Sequence, residues 1–207
     1  MTEHPSNPTS TAPTGPLHVA VIVGSVRAGR FGPTVARWFA EQAAQRDDVA
    51  VESIDLIDYP LPMELATPGD APDEATGRLR DDLAERLGRA DAFVVVTPEY
   101  NNTIPAALKN AIDWIFDEWA AKPVGFVSYG GMSGGLWAVA HLRHVFTELH
   151  AVPLRESLIF HQAWNKFDGG RPRDAEESEV AAKTMLNRLV WWADALRTAR
   201  ALRPYQR

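Results

Sequence analysis

The chain has 207 residues, 45% of them apolar, and a formal net charge of −6. This is enough apolar material for the core of one α/β domain. The acidic balance, with no Lys/Arg cluster to offset it, excludes a general nucleic-acid-binding surface. There is no Cys, hence no disulfide, thiolate nucleophile or Cys-ligated metal, and redox chemistry would need a bound cofactor.

Residues 1–15 are polar and rich in Pro, Ser and Thr, and are expected to form a disordered tail. They contain no apolar signal segment, and no later run reaches membrane-spanning length, so a soluble cytoplasmic protein without a membrane partner is expected. Residues 16–203 are expected to form one domain. It opens with a β-branched strand, Leu17–Val23, and a Gly-rich loop over 24–32. Pro33 suits the first turn of a helix, which carries Val35, Trp38 and Phe39 on one face and runs to about Arg46. A second strand over 49–56 alternates in polarity, as at a sheet edge. The stretch 57–72, with Pro60, Pro62, Pro68 and Gly69, reads as a loop. A helix over 73–88 places Leu79, Leu83 and Leu87 on one face. The wholly apolar run 92–97 reads as a buried third strand.

From Pro105 a helix carries Leu108, Ala111, Ile112, Ile115 and Phe116. A fourth strand covers 122–129, a Gly-rich loop 130–135 and a helix 136–150. A fifth strand over 152–160 is expected to be interrupted near Arg155 or Glu156. Residues 161–173 read as a loop and 174–202 as the last helix. Five strands separated by helix-length segments imply parallel strands with crossover helices on both faces. The expected fold is a flavodoxin-like doubly wound sheet in the order 2-1-3-4-5, whose ligand crevice lies beyond the carboxyl ends of the first and third strands.

Three loops at that edge carry chemistry. The first combines Gly24, Gly29 and Gly32 with Ser25, Arg27, Arg30, Pro33 and Thr34, ahead of a helix N-terminus, and suits an anion. It is neither a Walker loop nor G-x-G-x-x-G, although Asp55 or Asp58 could serve as the acid of a dinucleotide site. The second, Pro98, Glu99, Tyr100, Asn101, Asn102 and Thr103, offers amides, backbone and one aromatic ring, a set that can hold a flat heteroaromatic ring. Glu99 is either a general base or a local backbone acceptor. No His or second carboxylate lies near it in sequence, which favours the acceptor. The third, Ser128, Tyr129, Gly130 and Gly131 with the glycines that follow, lets a planar ligand approach the backbone.

Together the segments 24–30, 98–114 and 128–131 resemble the NADPH-dependent FMN reductase family, the flavodoxin-like group of quinone, azo-dye and chromate reductases. The resemblance spans about residues 17–202. It departs from the commoner form of the first loop at Arg30 and over 32–34, where many members carry Ser and Asn. It implies FMN with its phosphate at Ser25, Arg27, Arg30, Pro33 and Thr34, and its ring against Pro98 to Thr103 and Ser128 to Gly131. It implies NADPH or NADH as hydride donor, a small-molecule electron acceptor such as a quinone or free flavin, ping-pong kinetics, and a homodimer or homotetramer. On this reading the flavin carries the chemistry and no catalytic side chain is required. A flavodoxin-type electron carrier and a redox-dependent interaction module are the rival readings.

His141, His144 and Glu148 share helical spacing. A solvated face or a carboxylate pair explains them more simply than a metal, which would need a further ligand. Trp191 and Trp192 are read as packing or subunit contacts. Trp164 and Phe167 are read as either covering the site or packing their loop.

Overall fold

The protein is described by a computed structural model over residues 14–65 and 70–206. The expected tail therefore lies outside the described residues except for Thr14 and Gly15. Part of the 57–72 loop lies outside them as well.

Five parallel strands form one sheet: β1 (Leu17–Val23), β2 (Val49–Asp55), β3 (Ala92–Pro98), β4 (Pro123–Gly130) and β5 (Val152–His161). Their order is β2-β1-β3-β4-β5, as expected for a flavodoxin-like sheet. Among the described residues six α-helices complete the fold, α1 (Gly32–Ala43), α2 (Glu74–Arg89), α3 (Ala106–Trp114), α4 (Leu136–Glu148), α5 (Ala163–Lys166) and α6 (Ala175–Leu202), with short 3-10 helices at Leu56–Asp58 and Asp117–Trp119.

The period-2 geometry of the strands divides the core in two. Val19, Val21, Val94, Val96, Val127 and Tyr129 face α1 and α6. Ala20, Ile22, Phe93, Val95, Val124 and Phe126 face α2, α3 and α4. Both faces of the central strands are thus buried, which is why their sequences run apolar without alternation. Each fully buried Val, Leu or Phe contributes roughly 1.5–3 kcal/mol. The edge strand β2 has only partly buried residues at Ala50, Val51 and Glu52, matching its alternating sequence.

The expected interruption of the fifth strand is present. Between the pairs Val124↔Pro153 and Phe126↔Ser157, β5 spends more residues than β4. Arg143 of α4 covers the irregularity by donating to the carbonyls of Leu154 and Arg155. Three expectations are corrected. α3 ends at Trp114, so Ile115 and Phe116 lie beyond the helix and Phe116 is exposed. α1 ends at Ala43, short of Arg46, whose guanidinium instead binds Asp48 and Asn187 of α6. Residues 161–173 are not a plain loop. They hold α5 and a short antiparallel hairpin of β6 (Phe167–Asp168) and β7 (Arg171–Pro172). Phe167 is buried there, edge-on to Phe31, Trp38 and Phe160, so it packs its loop.

Candidate active site at the carboxyl edge of the sheet

The parallel pairing of β1 with both β2 and β3 makes β1/β3 the point where the strand order reverses. The three loops singled out in the sequence all leave this edge. Gly24 N–H donates to the Val96 carbonyl at 2.9 Å, carrying the β1–β3 ladder into the first loop. A Cβ on Gly24 would lie 3.0 Å from Leu108 and 3.4 Å from the Val96 carbonyl, so a side chain there would prise the first two loops apart.

The first loop ends at α1, whose N-cap, Phe31, supplies no side-chain hydrogen bond. The first turn holds Pro33 and no acidic residue. The helix therefore presents an uncapped positive end. Ser25, 1% exposed, hydrogen-bonds through Oγ to the Tyr100 hydroxyl at 2.8 Å. Tyr100 thus ties the second loop to the first, a contact across 75 positions of sequence.

The two arginines have different situations. Arg30 forks onto both oxygens of Asp55 at the end of β2, with Nη2 to Oδ2 at 2.7 Å, and also donates to the Ser25 carbonyl at 2.7 Å. These bonds to Asp55 raise its pKa above the ordinary arginine value, and they fix the shape of the loop. They also occupy the acid considered above for a dinucleotide ribose. Arg27 is exposed and its side chain has no partner among the described residues. Thr34 and Pro33 sit partly exposed in the first turn of α1.

The second loop is a two-residue turn. Tyr100 and Thr103 exchange backbone hydrogen bonds at 2.9 and 3.1 Å, and Asn101 and Asn102 both have positive φ, at 50° and 63°. That geometry calls for Gly, Asn or Asp at both central positions. The turn holds the two Asn side chains out to solvent. Two contacts brace it on α4. Glu99 Oε2 accepts from the Trp137 N–H at 3.0 Å, and Thr103 Oγ1 bonds to His141 Nδ1 at 2.6 Å. The α4 N-cap is Gly135, which has no side chain, so Glu99 does that work from another element. Glu99 is the backbone acceptor of the two roles considered, and His141 is a partner of the second loop. Among the described residues no three His, Asp or Glu groups converge as metal ligands.

In the third loop, Ser128 and Tyr129 point to opposite faces of the sheet. Both hydroxyls are buried and neither has a hydrogen-bond partner among the described residues. Tyr129 reaches beneath the first loop. A Cβ on Gly32 would meet its hydroxyl at 2.7 Å, so glycine at 32 leaves the space that the phenol fills. Burial pushes the Tyr129 phenol above its usual pKa range, with Tyr100 adding to the shift. Gly131 accepts from the Gln162 N–H, and Trp164, 65% exposed, stands over it.

Concavity alone points elsewhere. A recess of about 940 Å³ opens at the amino ends of β4 and β5, beside Ala121, His150 and Arg200. Two of its polar groups are already matched, Arg200 by the Ala121 carbonyl and Asp91, and His150 by Tyr205. Of the three buried side-chain polar atoms without a partner among the described residues, Ser128 Oγ and Tyr129 Oη lie toward the opposite edge, and the third is Arg197 Nε of α6.

A family model of NADPH-dependent FMN reductases matches residues 17–165. The chain belongs to that family. An NAD(P)H-dependent FMN reductase of Schizosaccharomyces pombe is 40% identical over 144 residues, 68% of this chain and 72% of that protein. A quinone reductase of Pseudomonas putida is 34% identical over 182 residues, 84% of this chain and 93% of that protein. Among solved structures, FerB, a flavoenzyme NAD(P)H:(acceptor) oxidoreductase of Paracoccus denitrificans, superposes with a TM-score of 0.67 at 25% identity, covering 86% of this chain and 98% of its own. Membership makes the chain an oxidoreductase of the flavin class. The matched region takes in all three loops.

The cap assigned to Glu99 has a measurable consequence. Glu99→Ala is expected to lower the unfolding free energy by about 1 kcal/mol in urea titrations, the usual cost of losing an N-cap acceptor. Glu99→Gln should recover part of that loss. Stability equal to wild type in Glu99→Ala would contradict the capping role.

Proposed function

We propose that the protein is an NAD(P)H-dependent FMN reductase that delivers electrons to quinones, free flavin or similar small electrophiles. One observation carries this reading. An uncapped helix N-terminus, an arginine unpaired among the described residues and a cluster of buried and half-buried hydroxyls with one orphan converge at the switch point of the sheet. This is the donor set a phosphate monoester requires. The neighbouring loops offer what a flat ring requires, namely backbone, amides and glycines.

On this reading the phosphate lies at Ser25, Arg27, Pro33 and Thr34. Arg30 acts mainly by holding the loop through Asp55, and its charge adds to the local field. The ring edge meets the segment from Pro98 to Thr103, where the Asn101 and Asn102 amides stand at the tip of the turn. Gly130 and Gly131 let the ring approach the third loop. When bound, FMN supplies hydride acceptance and electron delivery, which no side chain of this chain can provide. The protein's work is to orient the reactants and to keep the polar environment fixed. Donor and acceptor use the same open face in turn, which gives ping-pong kinetics.

Met132, Leu136 and Trp137 are exposed beside the second loop at 92%, 46% and 56%. A homodimer or homotetramer that covers them would complete a wall of the site. Light scattering should report two or four copies per particle, and a monomer at micromolar concentration would contradict this part of the proposal.

The direct test is steady-state oxidation of NADPH or NADH by the FMN-loaded protein with a soluble quinone. Parallel double-reciprocal lines are expected. Intersecting lines would overturn the shared face, and absence of turnover with both nucleotides would overturn the enzyme assignment. Arg27→Ala should weaken FMN binding about tenfold, the scale of one charge-assisted hydrogen bond. An unchanged affinity would move the phosphate away from Arg27.

A further inference from the structure

Tyr129 is 5% exposed, and its hydroxyl has no hydrogen-bond partner among the described residues. Ser25 and the Gly32 N–H face it without meeting hydrogen-bond geometry. An unmatched hydroxyl in a closed core is costly. Glycine at 32 nevertheless keeps room for it, since a Cβ there would collide with the oxygen. Phenylalanine would fill the same space without that cost.

We propose that Tyr129 is a positioning residue that selects a phosphorylated flavin by acting through Ser25. A serine hydroxyl has one hydrogen and two lone pairs. With a phosphate oxygen at the N-terminus of α1, Ser25 Oγ turns its hydrogen to that oxygen and accepts from both phenols, Tyr100 and Tyr129. All three hydroxyls are then matched. The Ser25–Tyr100 bond at 2.8 Å alone leaves the Tyr129 hydroxyl without a partner among the described residues. Burial keeps the phenol protonated by raising its pKa, so it remains an O–H donor at neutral pH. Riboflavin has the same ring and no phosphate, and would leave the orphan in place. The inference rests on the flavin reading above and assigns the source of its preference for the phosphorylated form.

Apo wild type and Tyr129→Phe are titrated with FMN and with riboflavin, following quenching of flavin fluorescence. The variant should bind FMN roughly threefold to tenfold more weakly, the range of one net hydrogen bond, and riboflavin equally well. In a Ser25→Ala background, Tyr129→Phe should have no further effect on FMN, because the relay runs through that oxygen. The melting temperature of apo Tyr129→Phe should be no lower than that of wild type, since only an unmatched hydroxyl is lost. An FMN-to-riboflavin preference equal to wild type overturns the inference and leaves the flavin site standing. Losses that add in the double variant, or a lowered melting temperature, also overturn it by assigning the hydroxyl a structural role. A wild type that takes up neither flavin overturns both the inference and the flavin reading.

Discussion

The pairing of β1 with β3 is the constraint on which the site depends. It sets Val19 beside Ala92 and Val23 beside Val96, so that β1 ends two residues short of the end of β3 and their loops leave the same edge side by side. The ladder continues into Gly24, whose N–H is bound by Val96 and whose missing side chain lets Leu108 close in. From that point a single hydrogen bond between Ser25 and Tyr100 suffices to join two loops far apart in sequence. Had the strand order placed another strand between them, neither loop could reach the other, and the free end of α1 would face solvent alone.

Charge is distributed around this junction with a division of labour. The Arg30–Asp55 fork, its two side chains 14% and 25% exposed, closes the first loop against the end of β2. An ion pair so placed sets conformation more than it adds net stability. Arg27 stays exposed with no side-chain partner among the described residues, and the helix end supplies a fixed partial charge beside it. Across the second loop, Glu99 and Thr103 spend their polar groups on α4. The loop that resembled a place for acid–base chemistry is thereby a rigid cradle. Rigidity is the useful property where a cofactor performs the reaction and the protein holds it.

Much of this was legible in the chain. The uninterrupted apolar runs of β1, β3 and β4 signalled strands buried on both faces, and their alternation with helical segments led to the observed order. The irregularity of β5 near Arg155 and the proline-led start of α1 could be read locally. What escaped were pairings without a local signature. Arg30 and Arg27 look alike in sequence, and only the end of β2, 25 positions away, distinguishes them. Tyr100 was read as cover for a ring, yet its hydroxyl is committed to Ser25. Tyr129 was grouped with the glycines that let a planar ligand approach, yet the period-2 geometry of β4 turns its side chain into the α1 side of the core. One signal was available and missed: consecutive asparagines at 101 and 102 are the residues a tight turn with two positive φ values demands. The short elements over 163–172 were missed because four-residue and two-residue pieces carry too little periodicity to register.

The central claim is that the first loop and the N-terminus of α1 hold the phosphate of FMN. Phosphorus NMR of the FMN-loaded protein between pH 5 and 8 tests it most directly. A phosphate held by Arg27, Ser25 and the helix end should stay dianionic, and its resonance should not move through the second pKa of a free phosphate monoester, about 6. A resonance that titrates as free FMN does would place the phosphate in solvent and contradict the account.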